Sequence, residues 1–176
     1  MGKKIAKIVF FIVLLIPIDC LSQSDVFDIA RGGTLENLKE LIAQKPDVIN
    51  TLNDDRNSPL ILACYKGNYE VAAYLIKNVK DINYANDMGT ALMAATVKND
   101  IPIVKLLLDN NANPDITDVK GTTALHYATI FKNYEIATML MEHKANVELK
   151  DIRQKTAFDY AVIANDDKLI NILKTK

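Results

Sequence analysis

The sequence is short of several things that would announce a chemistry. Only two histidines, His126 and His143, occur in 176 residues, with no H-E-x-x-H, G-x-S-x-G or paired Cys-x-x-Cys anywhere, so the spacings that build zinc, serine-hydrolase and dithiol sites are missing. The six glycines include no phosphate-binding loop, and the Gly32-Gly33 pair reads as a helix end. Tryptophan is absent, which leaves tyrosine and phenylalanine to supply any aromatic anchor. Charge of one sign is not in excess: 21 basic residues face 22 acidic ones, unlike the basic footprint of a nucleic-acid binder. With 49% apolar and 24% charged residues, the composition is that of a folded chain with one continuous core.

Long apolar runs are also scarce. The one run, Ile8 to Ile18, follows Lys3, Lys4 and Lys7 and is too short for a bilayer core, which takes about 20 residues. A basic start, a short apolar middle and the small residues of Cys20-Leu21-Ser22 predict a secretory signal peptide over 1–22, cut between Ser22 and Gln23. A lipid anchor on Cys20 and an uncleaved tether are the rival readings; Asp19 disfavours the anchor. Removing 1–22 takes three lysines and Asp19 from the 21 basic and 22 acidic residues, leaving 18 and 21. Cys64 then stands alone, cannot form an intramolecular disulfide, and is expected to be a small buried apolar side chain.

What the chain does have is a period. Ser58-Pro59-Leu60, Thr90-Ala91-Leu92, Thr123-Ala124-Leu125 and Thr156-Ala157-Phe158 recur, and each hydroxyl is followed five residues later by Ala63, Ala95, Ala128 or Ala161. The hydroxyls predict helix N-caps, with Pro59 at a first helical position where its missing N–H costs nothing. Gly67, Asn99 and Asn165 predict left-handed helix ends, and Lys132 is a departure at the same place. Apolar spacing predicts a second helix in each unit through Val71, Tyr74 and Leu75, then Ile103, Val104, Leu107 and Leu108, then Ile136, Met139 and Leu140. Pro102 suits the start of such a helix. A weaker first unit runs from Val26 through Leu35, Leu38, Leu41 and Ile42 with Ser24 in the capping place, and a last second helix holds Leu169, Ile170, Ile172 and Leu173. The loop before Thr90 is one residue short, so its tip is expected to turn differently from Asp118-Val119-Lys120-Gly121.

A repeat near 33 residues in which Thr123-Ala124-Leu125-His126-Tyr127-Ala128 nearly spells T-P-L-H-x-A resembles the ankyrin-repeat family. The resemblance covers the chain after the leader and implies an all-α solenoid of about five helix-turn-helix units with extended loops, at about 24–54, 55–87, 88–120, 121–153 and 154–176. Ile61, Met93 and Asp159 replace the histidine of the phrase, so the family's threonine–histidine bond is available once, at Thr123 and His126. The resemblance implies a non-catalytic module that binds a protein partner, with no cofactor, no metal and no nucleic acid, monomeric and not inserted in a membrane after cleavage. Together with the leader it resembles small exported bacterial ankyrin proteins, which implies a periplasmic or secreted location.

Family positions facing the groove hold Tyr65-Lys66, Val97-Lys98, Ile130-Phe131 and Ile163-Ala164, and the loop tips add Arg56, Met88, Val119-Lys120 and Ile152-Arg153. Tyr65, Val97, Ile130 and Ile163 form one apolar residue per unit. If exposed, such a stripe marks a binding surface; the alternative is that it packs inward against the next helix. Nearby lysines and arginines favour an acidic partner with an apolar anchor. Asp54-Asp55, Asp118, Asp151 and Asp166-Asp167 read as turn residues that bond their own backbone, with a calcium site at Asn53-Asp54-Asp55 as a weaker alternative. Other functional alternatives are a protein shielding an envelope enzyme or toxin, a small-ligand site with convergent polar groups, and a membrane-tethered scaffold.

Overall fold

The computed structural model describes residues 25–174; the predicted leader, its cut and Cys20 lie outside them. Helices come in antiparallel pairs: α1 Val26–Gly32 with α2 Leu35–Gln44, α3 Pro59–Lys66 with α4 Tyr69–Asn78, α5 Ala91–Val97 with α6 Ile101–Asp109, α7 Ala124–Ile130 with α8 Tyr134–Glu142, and α9 Ala157–Ile163 with α10 Asp167–Lys174. The odd-numbered helices stack on one another in chain order, and the even-numbered ones form a second layer behind them. This is the all-α repeat solenoid that the period predicts.

The local causes are those in the sequence. The Ser58, Thr90, Thr123 and Thr156 side chains each accept the backbone N–H three residues on, satisfying one of the free donors at a helix start. Gly67, Asn99, Lys132 and Asn165 all have positive φ just past the first helices, at 71°, 54°, 57° and 49°. Lys132 adopts the strained conformation without glycine's freedom, and its ammonium sits 3.6 Å from the Asp166 carboxylate of the next unit. Pro102 lies in the first turn of α6. Asp25 caps α1, its carboxylate accepting from the Phe27 and Asp28 N–H groups at 2.8 Å; Ser24, expected in that place, lies outside the described residues. A carboxylate is the stronger acceptor next to the positive end of a helix.

Small residues let the two layers approach. Ala63, Ala95, Ala128 and Ala161 are wholly buried, as are Val71, Ile103, Ile136 and Leu169 at matching places of the second helices. Cys64 is fully buried beside them, and burial pushes its thiol well above the usual range, consistent with an inert core residue. Units are also tied by side chains the period does not reveal. Asn68 and Asn133 precede α4 and α8 but make no side-chain cap there. Their amides instead reach into the preceding unit: Asn68 donates to the Ile29 and Gly33 carbonyls, and Asn133 to that of Thr96. Behind the loops, Asn50, Asn83 and Asp115 accept from the backbone N–H of Lys80, Asn113 and Asn146 one unit on.

The shortened loop does turn differently. Ala85–Asn86 (β1) and Gly89–Thr90 (β2) pair antiparallel, Ala85 opposite Thr90 and Asn86 opposite Gly89, closing a hairpin on Asp87 and Met88. At the tips before α7 and α9, by contrast, Asp118 and Asp151 each accept two backbone N–H groups of their own loop, and the left-handed positions fall at Gly121 and Gln154.

Candidate functional site

The face made by the first helices and the loop tips carries the sequence-predicted residues. Residues two apart on a helix point about 200° apart, so burying Ala63, Ala95, Ala128 and Ala161 against the second layer turns Tyr65, Val97, Ile130 and Ile163 outward. Their side chains are 45%, 36%, 45% and 62% exposed. The inward alternative does not hold. Each sits in the last turn of its first helix, one per unit along the array, so together they make an interrupted apolar strip.

The rest of the set joins the strip at its edges. Phe131, Lys66, Lys98 and Ala164 are exposed at the helix ends, and Arg56, Met88, Val119, Lys120, Ile152 and Arg153 are exposed at the tips. Backbone bonds tie neighbouring tips: Val119 N–H donates to the Asp87 carbonyl and Ile152 N–H to that of Lys120. Neighbouring tips are therefore held to one another, and an apolar surface held this way loses little freedom when covered.

A hollow of about 360 Å³ opens in this face at the second and third units. Tyr65, Met88, Met93, Ala94, Val97 and Phe131 are among its walls. The ammonium groups of Lys66 and Lys98 lie 5.9 and 5.1 Å from the centre of the Tyr65 ring, within cation–π range. Phe131 stacks on Tyr127, with ring centres 6.2 Å apart and planes within 6°. Sequence reasoning named Tyr65, Met88, Val97 and Phe131 but not Met93 or Ala94. Their signal was in the chain: Met93 holds the histidine position of its unit, and Ala94 stands where later units carry Tyr127 and Tyr160.

Both histidines serve the backbone. His126 Nδ1 faces the Thr123 N–H at 3.2 Å and the Thr123 hydroxyl at 2.8 Å, while Nε2 lies 3.1 Å from the Lys155 carbonyl. Accepting the Thr123 N–H at Nδ1 leaves the hydrogen on Nε2, which donates to Lys155 and so joins the fourth unit to the fifth. At the equivalent place Asp159 does the same local work with a carboxylate, accepting the Thr156 N–H at 2.9 Å. That bond and the Thr156 hydroxyl hold the Asp159 carboxyl below the usual range. His143 Nδ1 lies 2.8 Å from the Met139 carbonyl.

Asp118 and Asp151 behave as turn residues, Asp166 caps α10 through the Leu169 N–H, and in the loop of Asp54-Asp55 the bond is made by Asn53, which accepts the Asn57 N–H. Tyr127 donates to Asp118 and Tyr160 to Asp151. Burial, then the Asp118 carboxylate, pushes the Tyr127 phenol up to about 12. At Asp151 burial pushes upward, but bonds from Tyr160 and from the Lys155 and Arg153 N–H groups outweigh it, and the carboxyl lies below its usual range. Among the described residues no group of three or more histidine, cysteine or acidic side chains is placed to share a metal, and no helix is long and apolar enough to cross a membrane.

A two-layer stack of helix pairs, four of them opened by this phrase, defines a repeat solenoid. The chain belongs to the ankyrin-repeat family: the model for ankyrin repeats (3 copies) matches residues 26–118 and 99–176. Among curated proteins it is 31% identical over 104 residues to the rat ankyrin repeat and SAM domain-containing protein 6, covering 58% of this chain and 12% of that one. It is 33% identical over 93 residues to the Dictyostelium discoideum 26S proteasome non-ATPase regulatory subunit 10, covering 52% and 40%. An ankyrin repeat-containing protein of Treponema pallidum is 38% identical over 96 residues, covering 53% and 32%. The chain thus spans less than half the length of each of these relatives. Ankyrin repeats generally mediate protein–protein interaction, and the fold is typically a non-catalytic binding module.

Proposed function

We propose that this protein is an exported, monomeric and non-catalytic binding module that captures a partner protein along the face of its first helices and loop tips. The observation that carries this reading is the strip Tyr65, Val97, Ile130 and Ile163: an exposed apolar side chain in the last turn of the first helix of each of the last four units. The alanines two residues earlier are fully buried, so the strip points away from the core, and apolar surface exposed in a row marks an interface. Exposed Lys66, Lys98, Lys120 and Arg153 along its edges favour a partner with acidic groups around an apolar centre.

The basic, apolar and small-residue order of residues 1–22 supports export, with a mature N-terminus at Gln23 and a periplasmic or secreted location. Intact-mass measurement of protein from the native host checks this part: a mass that includes 1–22, or a lipid on Cys20, contradicts it. Capture is tested by pull-down from the native envelope fraction with mass spectrometry, using the wild type beside Tyr65→Asp and Ile163→Asp. A partner retained by the wild type and lost by both folded variants supports the groove. Equal recovery by all three contradicts it.

A further inference from the structure

We infer that the hollow beside Ala94 receives an aromatic side chain from an acidic segment of the partner, an inference that rests on the groove reading above and names what the groove holds. The repeat supplies its own comparison. Thirty-three residues on from Ala94 is Tyr127, and thirty-three further is Tyr160. In both later units that ring lies against its loop tip, its hydroxyl donating to Asp118 or Asp151 at the start of the loop. In the third unit the ring is an alanine methyl, the loop is a residue shorter, and the tip closes as the hairpin on Asp87 and Met88. What remains is the hollow, about 360 Å³, at the place where two other units of the same chain hold a tyrosine.

The walls fit a ring. Met88 and Met93 present flexible thioethers, which adapt to and attract aromatic edges, and Tyr65, Tyr127 and Phe131 add aromatic side chains to the walls. The Asn86 amide nearby is already engaged: Oδ1 accepts the Met88 N–H at 2.9 Å, and Nδ2 donates to Asn57 Oδ1 at 2.8 Å. The hollow therefore favours an apolar body over a charged head group.

Charge sets what flanks the ring. Lys66 and Lys98 reach over Tyr65, and no ion pair among the described residues includes either of them. The exposed acids of this region, Asp54, Asp55 and Asp87, belong to the loop tips; at the helix ends the half-buried Asp100 carboxylate is engaged as the cap of α6, accepting the Ile103 N–H. Carboxylates of the occupant accordingly lie toward the helix ends, beside the two lysines, where opposite charge is complementary.

The test uses the purified protein with isotope-labelled methionine methyl groups and three synthetic pentapeptides. One has a central tyrosine between acidic residues, one a central alanine between the same residues, and one a central tyrosine between lysines. The acidic tyrosine peptide should shift the Met88 and Met93 signals saturably, and the alanine and basic peptides should bind about tenfold more weakly or worse. Ala94→Tyr, which copies the later units, should keep or raise the melting temperature and lose the peptide about tenfold; Ala94→Leu, which copies Leu62, should lose several-fold and decides the matter if the tyrosine variant fails to fold. Absence of a saturable shift at millimolar peptide, equal binding by the alanine or basic peptide, or full affinity in a folded Ala94 variant overturns the inference. If Ile163→Asp loses the natural partner while Ala94→Tyr retains it, this inference fails and the groove stands; if both retain it, both fail.

Discussion

The Tyr127 hydroxyl donates to the Asp118 carboxylate at 2.6 Å, and the carboxylate is itself buried at the foot of a loop tip. The pair couples the fold to pH at the alkaline end. The Tyr127 phenol, pushed up to about 12, holds its proton more firmly folded than unfolded. Its contribution is therefore complete below about pH 10, the ordinary tyrosine value, and is lost as pH rises toward 12. Thermal melts from pH 8 to 12 should show wild-type stability falling over that window, with a shallower fall in Tyr127→Phe. At neutral pH the same substitution should cost about 1–3 kcal/mol.

The acid end has the opposite sign. The Asp166 carboxyl is held below its usual range chiefly by the Leu169 N–H, and Asp151 and Asp159 are lowered as well. Groups of this kind stabilise the fold above the unfolded carboxylate pKa and lose that contribution as pH falls through the folded one. Melting temperature should decline below about pH 4, and less steeply in Asp166→Asn. An equally steep decline in that variant would contradict the assignment.

The hairpin at the third unit depends on Gly89. Its φ is 105°, and a Cβ added there would lie 2.1 Å from the Met93 sulfur. Gly89→Ala should destabilise by about 1–3 kcal/mol through backbone strain and contact together. In a Met93→Ala background, Gly89→Ala should cost less in urea unfolding than it does in the wild type but should still destabilise, because the contact is gone and the strain remains. Equal stability of Met93→Ala with and without Gly89→Ala would show that the backbone there is unstrained.

Asn68 and Asn133 test the links between units. Each donates across to carbonyls of the unit before it, which a carboxylate cannot do. Asn68→Asp and Asn133→Asp should each cost about 1–3 kcal/mol, because a carboxylate would then face carbonyl oxygens. Asp100→Asn should cost less, since Asp100 only accepts the Ile103 N–H of its own helix, a role asparagine also fills.

Much of this architecture is legible in the chain because it is local. A hydroxyl before a helix, a glycine or asparagine after it, and an alanine five residues on are set by capping, left-handed φ and close packing. They leave the helix phase open between outward and inward packing of Tyr65 and Ile130, and the exposure of both side chains decides it. The parts that escaped are relations between units. The amides of Asn68 and Asn133 look like helix caps until the neighbouring carbonyls are in view. The hollow at Ala94 is the lack of a side chain, which no motif marks and only the comparison with Tyr127 and Tyr160 exposes. The first cap falls at Asp25, one residue past Ser24, because a one-residue shift in where α1 begins is beyond the resolution of apolar spacing.

The most direct measurement pairs the melting temperature of Ile130→Asp with its affinity for the captured partner. Ile130 is 45% exposed at the end of α7, where an acidic residue costs about 0.3–1 kcal/mol against the helix dipole, a shift of a few degrees at most. The expected result is a melt within a few degrees of wild type and a binding loss of tenfold or more. A variant that unfolds, or one that stays folded and binds as the wild type does, contradicts the claim that this strip is the binding face.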